Sequence, residues 1–338
     1  MKNALHAWCA QTLNCPSDDL EAVELGGDAG FRRYYRLHIG EKSFIATDAP
    51  VEHIDNHAFV DIAQRLAAAG VAVPQIIGVD YAQGFLLQSD LGDDLLLDLL
   101  DNDNVDDYYA RALAMIMQMQ SADSQGLPSY DGAMLRREMA LFSEWFIPQL
   151  LDVTLNPEET ALIEATYDCL QDLATAQPQA LVHRDFHSRN ILCHDDELAT
   201  IDFQDAVHGP LTYDAVSLLK DCYIRWPANR VEQWLEDFHG ALLERGAIAA
   251  ETPFQQTLRD FHAMGLQRHI KVLGIFARLS LRDGKHGYLL DLPLVIDYTL
   301  EAAQLMAADY PILSEFYDWF TQRLSPVIAT QEWSRGRS

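Results

Sequence analysis

The sequence predicts an α+β fold in two lobes, a small β-rich N-terminal lobe over 1–91 and a large helical C-terminal lobe over 92–338. Three observations predict it. Short apolar runs broken by glycine fill the first lobe. Apolar residues at helical period dominate from Asp93 onward, and only 180–202 interrupts them with strand-like segments. Strands gathered at one end and helices at the other make an α+β chain, not an alternating βαβ one.

Taken in order, an amphipathic helix is expected over 3–13. Strands follow at Glu21–Leu25 and Phe31–Ile39, around the glycine turn Gly26-Gly27-Asp28-Ala29-Gly30. Gly40-Glu41-Lys42 reads as a turn and Ser43–Thr47 as a third strand. Pro50 breaks the chain before a helix from Ile54 to Ala69, which Gly70 ends. Val73–Val79 and Phe85–Gln88 complete the small sheet. Helices are then expected at 104–121, 131–150, 157–176, 212–223, 228–246, 254–281, 288–306 and 311–323. The polar tail Glu332–Ser338 is expected to fray.

Charge narrows the partners. The 338 residues hold 24 Lys and Arg against 51 Asp and Glu, a formal charge of -27. Such a surface repels nucleic-acid backbones and anionic membranes, so neither is expected as a partner. It suits solubility and cationic ligands, but bulk charge does not define a cleft. The 5 cysteines are scattered without a CxxC pair, which argues against a disulfide framework or zinc site. Lys2, His6, Asp18 and Asp19 leave no apolar core for a secretory signal, and no run approaches the length of a membrane span. The expected compartment is the cytoplasm, with no obligate protein partner evident.

The chemistry concentrates in Leu181-Val182-His183-Arg184-Asp185-Phe186-His187-Ser188-Arg189-Asn190-Ile191-Leu192, followed by Ile201-Asp202-Phe203-Gln204-Asp205. Apolar strand ends bracket a polar loop, with a turn at Asp195-Asp196, and one hairpin is expected to gather Asp185, Asn190 and Asp202 at its open end. Phosphoryl transfer needs such a set: one carboxylate to orient an acceptor hydroxyl and take its proton, and hard oxygens to hold Mg²⁺ against the triphosphate. The order H-R-D-x-x-x-x-N and then D-F matches the protein-kinase signature. Asp185 is thereby the expected base, and Asn190 and Asp202 the expected metal ligands. As turn residues alone, Asp and Asn would explain one position but not the ordered pair of motifs. A hydrolase with His183, Asp185 and His187 as metal ligands would leave Asn190 and the D-F motif unexplained.

Neighbouring residues keep two readings each. His183 is a loop brace or an acid–base group, and His187 a phosphate contact or a brace. Arg189 and Arg184 are candidate partners for phosphate or a substrate carboxylate. Asp205 is a substrate contact, a second metal contact or a solvated loop position. Asp214 caps the helix that follows or pins the loop.

On the nucleotide side, Gly27, Asp28, Ala29 and Gly30 lie in a turn where backbone N–H groups can approach phosphate. Arg32 and Arg33 alternate on strand two, so one of them is expected to face the cleft. Leu86-Leu87-Gln88-Ser89-Asp90-Leu91-Gly92 reads as an inter-lobe hinge, making Gln88 and Asp90 nucleotide candidates. A phosphate-pairing Lys is expected on strand three, yet Phe44-Ile45-Ala46-Thr47-Asp48 has none and Lys42 comes too early. That absence leaves a non-catalytic nucleotide-binding protein as an alternative.

These motifs resemble the aminoglycoside phosphotransferase-like kinases, a branch of the protein-kinase-like superfamily, over nearly the whole chain. The usual branch motif, H-G-D-x-x-x-x-N, has Gly where Arg184 stands. Within the branch, the segments at 26–37, 47–50, 86–92, 181–190 and 201–227 are similar to anomeric kinases of bacterial cell-wall sugar recycling. The resemblance implies a two-lobed kinase-like fold that uses ATP and Mg²⁺ and phosphorylates the C1 hydroxyl of N-acetylmuramate and N-acetylglucosamine. It also implies that the missing strand-three Lys is a subgroup trait, and that Arg189 or Arg225 offsets the muramate charge. Trp145, Tyr223 and Arg225 are candidates for the sugar pocket, with helix packing as their other reading. Kinases of other small alcohols (an aminoglycoside, choline or homoserine) are the alternative within the branch.

Overall fold

Strand alternation builds the small sheet. In chain order the strands are β1 (Glu21–Leu25), β2 (Arg33–Ile39), β3 (Lys42–Asp48), β4 (Ile76–Asp80), β5 (Phe85–Ser89), β6 (Gln179–Val182), β7 (Ile191–His194), β8 (Glu197–Thr200) and β9 (Val207–Pro210). The helices are α1 (Asn3–Thr12), α2 (Asn56–Ala68), α3 (Leu96–Leu99), α4 (Val105–Ser121), α5 (Gly132–Leu141), α6 (Pro157–Thr175), α7 (Tyr213–Leu219), α8 (Ala228–Glu244), α9 (Phe254–Asp283), α10 (Leu292–Met306), α11 (Pro311–Trp319) and α12 (Ser325–Ile328). The computed structural model describes residues 1–26 and 31–335. The nucleotide candidates Gly27, Asp28, Ala29 and Gly30 lie outside the described residues. Contacts divide the chain into two compact units: Met1–Leu100 with Arg189–Asp205, and Asp101–Ser188 with Ala206–Ser338.

In the first unit a five-stranded antiparallel sheet has the order β1-β2-β3-β5-β4. Tyr35, Leu37, Ala46, Phe85 and Leu87 share one face and pack with Leu5, Cys9 and Ala10 of α1. The side-chain period of two therefore sends Tyr34, Arg36, Ile45, Thr47 and Gln88 to the opposite face. The β7–β8 hairpin belongs to this unit. Asp195 and Asp196 close it with φ of 49° and 63°, the backbone that a two-residue hairpin turn demands. A backbone bond from Thr200 to Ala72 (3.0 Å) and stacking of Phe203 on Phe59 of α2 (5.0 Å between centroids) hold it in the unit.

The second unit is helical around α9, whose buried residues run from Thr257 to Ser280. The expected helix over 131–150 is α5 followed by a wider π-helical stretch, Phe142–Leu150, that contains Pro148. Proline has no N–H and its ring crowds the carbonyl one turn back, so the ladder loosens there. Gly274 of α9 packs at that transition: a Cβ on it would run into the Leu141–Phe142 peptide. Gly274→Ala is expected to lower stability by about 1–3 kcal/mol through overpacking against backbone, read as a lower urea midpoint. Asn156 starts α6 with a reciprocal capping box to Glu159.

The expected single hairpin is two separate ladders, because β6 pairs with β9 and β7 with β8. The β7–β8 hairpin carries Asn190 and Asp202 at its base, while Asp185 leaves the end of β6. Strand β9 escapes a pattern reading because Gly209-Pro210 look like loop residues. Gly209 is needed there, since a Cβ would come within 2.9 Å of the Tyr130 side chain. Among the described residues no helix is long and apolar enough to cross a membrane.

Candidate active site

Two buried aspartates shape the polar loop that leaves β6. The backbone N–H groups of His183 and Arg184 donate to the Asp214 carboxylate at 2.8 and 3.0 Å. At the far end, the N–H and hydroxyl of Ser188 donate to Asp221 Oδ2 at 2.9 and 2.5 Å. Asp221 Oδ1 also accepts from the N–H of Tyr223 at 3.0 Å. A buried carboxylate is stable only when its oxygens are met by donors, and here the loop backbone supplies them. Of the two roles open to Asp214, the structure shows pinning. Burial raises its carboxyl above the ordinary value, opposed by His183 and the loop N–H groups.

Arg184 takes a left-handed backbone, with φ of 77°. Glycine adopts that region freely, which is why an H-G-D motif is comfortable at this turn. An arginine there costs roughly 1–2 kcal/mol, which its N–H bond to Asp214 and its side-chain contacts offset. The guanidinium pairs with Glu138 and lies 5.6 Å from the centroid of the Tyr130 ring. Glu138, on α5, also accepts from the Tyr130 hydroxyl and pairs with Lys271 Nζ at 3.0 Å. Lys271 of α9 donates in turn to the Tyr213 hydroxyl at 3.1 Å. Two cations thus share one carboxylate within a largely buried network.

Asp185 sits partly buried beside this network. Burial acts to raise its carboxyl, but Lys271, His187, Arg184 and Arg268 together hold it below the ordinary range. It is therefore ionised at neutral pH, as a proton acceptor must be. The buried ring of His183 accepts the Asp185 N–H at Nδ1 (3.3 Å) and lies edge-on to Phe186, so it braces the loop. His187 donates its N–H to the Asp185 carbonyl at 3.1 Å. Its ring meets Tyr223 edge-on at 5.3 Å, bringing that sugar-pocket candidate beside the loop.

Asn190 and Asp202 flank the base of the β7–β8 hairpin in the first unit. The Ile201 N–H donates to the Asn190 carbonyl at 3.0 Å, which sets the two positions against each other. Asp202 is exposed, has φ of 63°, and accepts from Gln204 Nε2 at 2.7 Å. A carboxylate and an amide oxygen are hard donors of the kind Mg²⁺ takes alongside water and phosphate. Among the described residues no set of three or more His, Cys, Asp or Glu side chains forms a metal cage. The donor set therefore fits a metal that arrives with a triphosphate, and does not fit a self-contained structural ion.

The nucleotide candidates separate by face. Arg32 precedes β2 on the side of Tyr34 and lies 5.4 Å from the Phe59 ring centroid, whereas Arg33 is exposed at the strand's start. Gln88 is buried and spends its amide on Thr47 Oγ1 (3.3 Å). Asp90 pairs with Arg36 Nε at 2.6 Å and accepts the Gly92 N–H at 3.0 Å. Arg36 reaches Asp93 as well, tying strand two to the stretch that follows β5. Among the substrate candidates, Trp145 packs on the helical core, and Arg225 is exposed and pairs with Glu301. Asp205 is exposed and Arg189 half-buried at the hairpin's two ends. The sequence reading missed Glu138, Lys271, Asp221 and Arg36. The available signal was charge placed at apolar helical positions, as at Lys271 between Ile270 and Val272.

A family model described as "Phosphotransferase enzyme family" matches residues 21–252. An N-acetylmuramate/N-acetylglucosamine kinase of Pseudomonas aeruginosa is 42% identical over 84% of this chain and 83% of its own. A protein of the same name from Neisseria meningitidis is 34% identical over 88% of this chain and 90% of its own. Among solved structures, an ADP-bound aminoglycoside phosphotransferase superposes with a TM-score of 0.58 at 13% identity, covering 89% of this chain and 99% of its own. That likeness establishes a kinase-like fold.

Proposed function

The chain belongs to the phosphotransferase enzyme family, and from that premise we propose that it moves the γ-phosphoryl group of ATP to the anomeric C1 hydroxyl of N-acetylmuramate and N-acetylglucosamine. The relatives at 42% and 34% identity carry that substrate pair in their names, and they align over most of their length. Such a reaction returns cell-wall sugars to use as sugar 1-phosphates. The observation that carries the proposal is Asp185: an ionised carboxylate in a loop fixed at both ends by buried acids.

In this reading Asp185 accepts the proton of the C1 hydroxyl as its oxygen forms the new bond to phosphorus. The bond from phosphorus to the β-bridging oxygen breaks, and ADP leaves with that electron pair. An anomeric hydroxyl is more acidic than an ordinary alcohol, which suits a carboxylate of depressed pKa. Bound Mg²⁺ would spread the charge on the transferring phosphoryl group, and Asn190 and Asp202 are the residues we assign to hold it. Residues 1–91 serve the nucleotide, and 92–338 serve catalysis and the sugar. Tyr223 is the aromatic we favour for the sugar because His187 brings it to the loop.

Purified protein with Mg-ATP and a panel of acceptors, followed by ³¹P NMR, tests this. The expected product is an acid-labile sugar 1-phosphate from both amino sugars. Phosphorylated kanamycin or choline, with the amino sugars untouched, would overturn the acceptor assignment.

A further inference from the structure

Strand three presents Ser43, Ile45 and Thr47 to the face opposite α1, and none of them is cationic. A triphosphate binding beside Asp202 needs a fixed positive charge, which protein kinases take from a lysine on that strand. Most cations of the first unit's sheet and helices are committed elsewhere. Lys2 pairs with Asp48 at 2.7 Å, Arg65 with Asp61 at 2.8 Å, and Arg36 with both Asp90 and Asp93. Arg33 and Lys42 are exposed, Arg33 at the start of β2 and Lys42 at the start of β3.

Arg32 differs from all of these. Its guanidinium rests on the Phe59 ring, and Phe59 stacks on Phe203, the residue after Asp202. It acts on the nearby Tyr34 phenol, which burial chiefly raises above its ordinary pKa, with Arg32 opposing and Asp202 adding to the rise. Tyr34 thus lies within electrostatic reach of Arg32 and Asp202 alike. Arg32 Nε is nevertheless buried with no hydrogen-bond partner among the described residues. An unmet donor at a buried nitrogen is costly, and an incoming anion that accepts from it removes that cost. A planar fork held against an aromatic ring is also pre-organised for phosphate oxygens.

We propose that Arg32 grips the triphosphate of the bound nucleotide, replacing the strand-three lysine that this chain lacks. The proposal rests on the nucleotide-using reading above but not on the identity of the acceptor. Calorimetric titration with Mg-ATP, and with adenosine as a phosphate-free control, tests it without any turnover. Arg32→Ala is expected to weaken Mg-ATP roughly 10–100-fold, the scale of one charged hydrogen-bonding contact, and to leave adenosine binding and the thermal midpoint unchanged. Arg32→Lys is expected to restore part of the loss, since charge returns without the fork.

Wild-type affinity for Mg-ATP in Arg32→Ala would overturn the proposal. So would an equal loss for adenosine, or a loss in Arg33→Ala or Lys42→Ala that Arg32→Ala does not show. A wild-type protein that binds Mg-ATP but phosphorylates neither amino sugar would reject the proposed acceptor and leave this assignment standing.

Discussion

Asp185→Asn is expected to lower turnover at least ~100-fold while leaving Mg-ATP affinity close to that of the wild type. The amide keeps the size of the carboxyl and loses its capacity to take a proton. The loop survives the change because its shape comes from Asp214 and Asp221, which hold backbone N–H groups and the Ser188 hydroxyl. Steady-state rates together with direct nucleotide titration separate the two effects. Near-normal turnover would remove Asp185 from its role as base. A fall in rate accompanied by an equal fall in nucleotide affinity would mean instead that the substitution had deformed the site.

Glu138→Ala is expected to cost about 3–5 kcal/mol of stability, the scale for removing one partner of a buried ion pair. Its loss strands Lys271 and Arg184 in an environment where each side chain is at most 15% exposed. Glu138→Gln, which keeps the shape, is expected to cost less. The pH dependence carries its own sign. Burial acts to raise the Glu138 carboxyl, but Lys271 and Arg184 outweigh it and hold the folded value below the ordinary one. A depressed folded pKa gives stability that is complete above the unfolded value of about 4.3 and lost as pH falls through the folded one. Urea midpoints measured from pH 7 downward are therefore expected to fall more steeply for the wild type than for Glu138→Gln. Parallel curves would show that Glu138 does not titrate as the network requires.

Much of this was legible in the sequence because period and punctuation are local properties. The strands of the small sheet and the long helices follow from alternation, 3.6-residue spacing and Gly or Pro stops. The Asp195-Asp196 turn was readable for the same reason. What escaped depends on residues distant in the chain. Strand β9 is a strand because β6 lies beside it, and its own composition argues otherwise. Helix 131–150 hid a change of helical type that Pro148 signals but does not locate. At the site, the ordered motif points to Asp185, Asn190 and Asp202, whereas two of the four charges that tune Asp185, Lys271 and Arg268, come from α9, more than eighty residues downstream. Which of Arg32 and Arg33 turns inward was left open by alternation alone, and the contact with Phe59 distinguishes them.

The two aspartates that pin the loop stand 31 and 33 residues beyond the groups they hold. Each such contact closes a span of chain before it returns any energy, so it forms after local helices do. Catalytic competence is thus a late acquisition during refolding. Helical circular dichroism should recover ahead of phosphoryl transfer, and a nascent chain that has not yet extended past residue 221 has no means of pinning the loop that carries Asp185.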